Sequence, residues 1–271
     1  MRWDKFIWVL FDVADKYFFI ATPAFLLFYV VLKRKIAYRK IQPRFPRLSD
    51  YRREIFFSTL SIIIFSFPPL FLLFNPHLRP YTTYYPDIRQ YGLAYAILAF
   101  PIMLLIHDAY FYWIHRLMHL PKLFSLFHLV HHRSNNPSPW AAYAFHPLEA
   151  VLESLIFVLF LFTIPVSGFH LKFFFIFSLA YNVYGHLGFE LYPKNFSKHW
   201  FGKWMNTSVA HNMHHQCFEG NYGLYFTIWD RAMGTLREEY DERYNEVTSR
   251  EKSKVHRRSQ LRRRLLDSSR S

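Results

Sequence analysis

HDAYFYWIHRLMHLPKLFSLFHLVHH, residues 107–132, overlaps the end of an apolar stretch at 91–114 and carries six histidines. A stretch that long can cross a bilayer as a helix, which needs about 20 apolar residues. The histidines recur at set spacings. HRLMH gives His115 and His119, HLVHH gives His128, His131 and His132, and the later HNMHH gives His211, His214 and His215. Thirteen of the 15 histidines lie between His107 and His215. A single HxxHH arises by chance in fewer than about one in twenty chains of this histidine content, so two are a signal.

The spacing has a direct physical meaning. Residues four apart on a helix share a face, so His115 and His119 aim at a common point. In HxxHH the first histidine shares a face with the third-on and fourth-on residues, while the adjacent pair splays by about 100° and so suits two neighbouring metals. Eight such ligands exceed what one ion can use while keeping a position open for substrate. Two ions sharing them is the natural count. Ligand type alone leaves iron, copper, zinc and nickel open. Structural zinc sites take four ligands, often with cysteine, and hydrolytic zinc needs three. A histidine-rich pair without evident carboxylate bridges, beside a membrane, favours iron and dioxygen.

Around this stretch the 271-residue chain is 52% hydrophobic and 21% aromatic, with Phe 31 and Tyr 19, yet carries a net charge of +14. The positive residues gather at 33–53 and 236–271. Basic flanks around apolar runs describe a membrane protein, and a nucleic-acid partner, the other reading of a high pI, has no need of those runs. Further apolar stretches fall at 17–32, at 55–74, where Pro68 and Pro69 kink or end a helix, and at 150–185, a helical hairpin turning near Ser167-Gly168. Each arm of that hairpin is marginal for a full crossing. Residues 1–16 are expected to be an uncleaved amphipathic lead-in, because Asp12, Asp15 and Lys16 interrupt the apolar run and no cleavage site follows. The excess of Lys and Arg at 33–53 assigns that loop to the cytoplasm, and every histidine group then shares the cytoplasmic membrane face. One cysteine, Cys217, excludes an internal disulfide framework and reads as buried and inert. The tail 250–271 reads as solvated, with a loose attraction to anionic headgroups.

In combination, HDAYFYWIHRLMH, the two HxxHH groups, FHPLEA at 145–150 and NYGLYFTIWDRAMGT at 221–235 resemble the fatty acid hydroxylase and sterol desaturase superfamily. The likeness covers roughly 95–240, about half the chain. It implies a mainly α-helical integral membrane bundle of about four membrane segments or hairpins with a cytoplasmic, histidine-rich metal-binding cap. It divides the chain into membrane segments and basic loop (1–95), catalytic region (96–240) and basic tail (241–271). It also implies a di-iron centre that uses dioxygen and two electrons to hydroxylate or desaturate a lipid, with zinc as a substitute in purified material. A hydrogen atom leaves an unactivated C–H bond; rebound then gives an alcohol, and loss of a neighbouring hydrogen an alkene. The ligand and catalytic roles fall on His115, His119, His128, His131, His132, His211, His214 and His215. His186 in GHLGFE resembles an extra histidine of the family and counts as a ninth metal ligand. Acyl hydroxylases of the family tend to carry a further histidine where this chain has Asn182, which favours the sterol-desaturase-like branch. With no cytochrome domain in the sequence, the electrons are expected from a separate cytochrome, ferredoxin or reductase. The membrane implied is the endoplasmic reticulum in a eukaryote and the inner membrane in a bacterium.

Other residues have quieter expectations. His107 reaches the metals, donates to a ligand or packs; His146 serves behind the ligands; Asp108 and Glu149 partner ligand histidines. Asp230 with Arg231, and Asn221 to Gly223, shape turns. His77, His170, His199 and His256 are bystanders. Two rivals predict different chemistry. A zinc-dependent membrane hydrolase would act without oxygen or reductant and hold nearer one metal. A membrane metal or haem carrier would set its ligands along the bilayer midplane, or use only two axial histidines, whereas most of these lie past the apolar segments.

Overall fold

The computed structural model describes residues 3–250, so the tail expectation for 251–271 lies outside the described residues. The described residues are mainly helical, with irregular stretches between the helices and one two-residue parallel ladder. Three helical stretches are long and apolar enough to cross a membrane, at 3–31, 48–72 and 92–118. The first is α1 (Trp3–Phe25), continued by π-helical turns over Leu26–Val31. The second is α2 (Leu48–Phe65) followed by α3 (Phe67–Leu72), with Pro68 and Pro69 in the first turn of the new helix. There a missing N–H costs nothing, whereas continuing α2 through them would break its hydrogen bonds. After β1 (Tyr84–Tyr85), α4 (Gly92–Met118) is the third such stretch.

The two faces of α4 show how sequence becomes architecture. Ala99, Met103, His107, Phe111 and His115 recur every fourth residue and are buried. Leu93, Ile97 and Leu105 lie on the other side, and Leu93 is 76% exposed. Lipid tails are as apolar as leucine, so the outer stripe gains nothing by hiding, and packing and polar contacts select the inner one.

Short helices α5 (Pro121–Phe127) and α6 (Leu129–His132) follow. Residues 137–145 then run through the interior, which irregular backbone can do only if its polar groups are met. Ser138 accepts from the Trp140 amide and donates to Glu54 of α2, and the Trp140 carbonyl accepts from both Tyr17 and Ser58. The hairpin expected at 150–185 is α7 (Pro147–Thr163) and α8 (Gly168–Gly185), reversing through β2 (Val166–Ser167), which pairs with β1. Neither arm is long and apolar enough to count as a crossing. Ser167 caps α8 by accepting from the His170 amide, so His170 is a buried structural residue. Cores between α4, α7 and α8 and between α1, α2 and α8 bind the N-terminal helices into the same body as α4, α7 and α8.

Beyond α8 the chain is irregular until α9 (Ser208–Cys217), α10 (Ile228–Ala232) and α11 (Tyr240–Thr248). Residues 241–248, assigned with the tail from sequence, thus form most of a helix whose Tyr240, Tyr244 and Val247 pack on Val209, Ala210 and Met213 of α9. The basic loop 33–53 lies at the histidine end of the bundle. Gln42 donates to the Asn135 carbonyl and to Asn212, Arg53 donates to the Arg133 carbonyl, and Lys40 bridges Phe189.

Candidate metal centre

All nine expected histidines meet at this end, in two groups. His115, His119, His128, His132 and His214 each offer a ring nitrogen within 4.8 Å of the others, and so do His131, His186, His211 and His215. The splay of adjacent histidines sends His131 and His132 to different groups, and likewise His214 and His215. The groups abut: the rings of His132 and His215 lie 4.9 Å apart.

Local structure explains the aim of each ring. His115 lies in the last turn of α4 and His119 at its C-cap, half a turn from the chain reversal at Pro121. His128 joins α5 to α6, and Thr207 caps α9 so that His211, His214 and His215 follow in register. His186 is the C-cap of α8, and the neighbouring Gly185 faces the His211 ring.

The donor set fits metal. The Nε2 atoms of His186, His211 and His215 form a triangle with sides of 3.0–3.1 Å. His115 and His128 approach through Nε2 at 2.9 Å, and His119 and His132 at 3.2 Å. About 3 Å is the spacing of adjacent donors around an ion held by bonds of roughly 2.1 Å. Such triangles of lone-pair nitrogens cannot all be hydrogen bonds, and the buried His214 Nε2 has no protein partner at all.

The other ring nitrogen of four of these histidines is met by an acceptor. Nδ1–H of His115 donates to the Tyr222 carbonyl at 2.8 Å, that of His186 to the Asn182 carbonyl at 2.8 Å, and that of His214 to the Gly220 carbonyl at 2.7 Å. His128 donates to Glu149. Each contact holds a proton on Nδ1 and leaves the Nε2 lone pair facing the group. Burial first, then the repulsion of neighbouring histidines, pushes His128, His131, His132, His211, His214 and His215 well below the ordinary imidazole range, so they are neutral donors at pH 7.

The turn after α9 supports this shell. Asp230 accepts from the amides of Tyr222 and Gly223 and from Thr235. A side chain at Gly223 would collide with the Phe226 carbonyl, and Gly220 adopts a φ of +73° while presenting its carbonyl to His214. Asp108 accepts from the amides of Tyr225 and Phe226, so it anchors this turn rather than a ligand histidine. His107 joins neither group; its Nδ1 meets the Tyr225 hydroxyl at 2.9 Å. His146 caps α7 by accepting from the Leu148 amide and does not stand behind the ligands. Cys217 is exposed, correcting the buried assignment: α9 ends there, and its last residues turn to the surface.

A cavity of about 350 Å³ runs along the bundle beside the centre, with none of the nine histidines in its wall. Its inner wall includes Phe111, whose ring is 4.9 Å from that of His115, and Phe145, 5.0 Å from His131. Its other end is bounded by Trp8 of α1 and Phe74 beyond α3, so phenylalanines of the apolar runs line a tunnel as well as facing outward. Glu153 also lines it, and sequence reading passed over this residue. The signal was present: Glu153 follows Glu149 by four residues and shares its helical face.

A family model described as fatty acid hydroxylase matches residues 100–235. Lathosterol oxidase of Rattus norvegicus is 32% identical over 223 residues, covering 82% of this chain and 70% of the relative. Lathosterol oxidase of Homo sapiens is 31% identical over 82% of this chain and 70% of the relative. Delta(7)-sterol 5(6)-desaturase ERG3B of Gibberella zeae is 29% identical over 81% of this chain, and the match spans 65% of that relative's length. No solved structure matches the chain.

Proposed function

Because this chain belongs to the fatty acid hydroxylase and sterol desaturase superfamily, we propose that it is a membrane-bound oxidoreductase that uses dioxygen and a histidine-held metal pair, iron in the active form, to oxidise a sterol-like lipid. The observation that carries the reading is the sorting of nine histidines into two adjoining groups beside an apolar cavity. A hydrolase needs one such group, and a carrier needs no cavity beside it.

His115, His119, His128, His132 and His214 would hold one ion, and His131, His186, His211 and His215 the other. When bound, the pair would supply the one-electron and dioxygen chemistry that imidazole-ligated iron supports. The protein's part is positional. The Tyr222, Asn182 and Gly220 carbonyls and Glu149 keep protons off the donor nitrogens. Phe111, Phe145 and Leu224 give the cavity an apolar wall at the centre, so a lipid C–H can lie there with water excluded. Desaturation would consume one dioxygen, two electrons and two protons, and release an alkene and two waters. Hydroxylation with the same inputs would release an alcohol and one water. The electrons would come from a separate donor protein. The basic loop 33–53 at the histidine end supports a cytoplasmic orientation of that end.

The test is conversion of a Δ7 sterol by the iron-loaded protein with a chemical or enzymatic electron source. Loss of two hydrogens from the sterol, dependent on oxygen and reductant, is expected. A product formed equally well without oxygen would overturn the reading.

A further inference from the structure

The cavity wall carries few polar groups, and most are already satisfied. Asp12 and Lys16 of α1 pair with one another. His107 Nδ1 meets Tyr225, and Ser154 donates to the Val151 carbonyl. Asn182 donates to the Ala142 carbonyl. Lys172 lies on the exposed side of α8 and reaches solvent. The Tyr84 and Tyr143 hydroxyls and Glu153, half-buried on α7, line the cavity without a hydrogen bond or ion pair among the described residues, and of these Glu153 alone carries a carboxyl group. A carboxyl group partly withdrawn from water without a partner offers an open acceptor, which a ligand's donor could fill.

Its position says which end of a ligand it would meet. Glu149, one turn earlier on the same face, holds His128 of the metal centre. One turn is about 5.4 Å along the helix, so Glu153 lies near the metal end of the cavity rather than at the end bounded by Trp8. It is also within electrostatic reach of Glu149 and of the Tyr225 hydroxyl. Two carboxyl groups there disfavour an anionic headgroup or a free fatty acid. They suit a neutral donor.

We infer that Glu153 accepts a hydrogen bond from the hydroxyl group of the lipid substrate, so that the cavity selects a lipid alcohol and holds its hydroxyl end towards the metals. Either protonation state of the carboxyl group offers an acceptor oxygen. The apolar remainder of the lipid then lies along the phenylalanine-lined cavity towards Trp8 and Phe74, and the oxidised carbon is one close to the hydroxyl. The inference rests on the proposed lipid oxidase activity and specifies its substrate class.

The test is equilibrium binding of a Δ7 sterol alcohol, its methyl ether and a long-chain fatty acid to the full-length protein in phosphatidylcholine nanodiscs. Metal content and oxygen-dependent turnover are measured on the same preparation. The wild type is expected to bind the alcohol roughly ten-fold more tightly than the ether, as one buried hydrogen bond would give. Glu153→Leu should bring that ratio close to one with metal content unchanged, and Glu153→Gln, which keeps an acceptor oxygen, should retain most of it. Parity between alcohol and ether in the wild type overturns the assignment without any variant. So does an undiminished preference in Glu153→Leu, or tight binding of the fatty acid. If the wild type oxidises the sterol yet shows parity, only the role of Glu153 falls; if it neither binds nor oxidises sterol, the proposed activity falls with it.

Discussion

His128 Nδ1–H donates to Glu149 Oε1 across 2.6 Å, with both side chains buried. The contact fixes the ring orientation, so that Nε2 faces His115. Replacing Glu149 with Ala should weaken metal binding at the five-histidine group about 10–100-fold, while Glu149→Gln, which keeps an acceptor oxygen, should fall between. Competition with a chromogenic chelator measures it. Equal affinity in wild type and Glu149→Ala would show that the contact is only packing.

Asp230 binds the turn that presents the Tyr222 carbonyl to His115. Asp230→Ala leaves two buried amides without an acceptor, and a loss of about 2–4 kcal/mol of stability is expected. Thermal melting in detergent should register it, together with reduced metal retention. An unchanged melting temperature would mean that water or a neighbour replaces the carboxylate.

The metal-free protein should be acid-sensitive. Its buried histidines have lowered affinity for protons, through burial first and neighbouring imidazoles second. Below the ordinary histidine value of about 6.5 the unfolded chain therefore binds more protons than the folded one. Stability rises with pH wherever that holds, so chelator-treated protein should lose stability as pH falls from about 6.5 towards about 5. Melting temperatures across that range check the sign. A rise on acidification would contradict it.

The histidine centre was legible because helical spacing carries geometry. The 100° between His131 and His132, and between His214 and His215, sorts them into two groups before any tertiary contact is known. The hairpin turn at Ser167-Gly168 was legible for the same local reason. His186 came through resemblance alone, since one histidine at a helix end has no spacing to read. The roles of Asp108 and His146 were not legible. Asp108 meets amides more than a hundred residues away, and whether His146 caps or supports depends on where Pro147 starts α7. Residues 137–145 likewise owe their path to Tyr17, Glu54 and Ser58 on two distant helices. Cys217 was expected to be buried because free cysteine behaves as a small apolar side chain, but it ends α9 and is exposed.

The most direct measurement is the metal content of full-length protein reconstituted with ferrous iron, compared with a His131→Ala, His214→Ala double variant that removes one donor from each group. The account predicts about two iron ions per chain in the wild type and a sharp fall in the variant. One ion per chain, or a content that the substitutions leave unchanged, would contradict it.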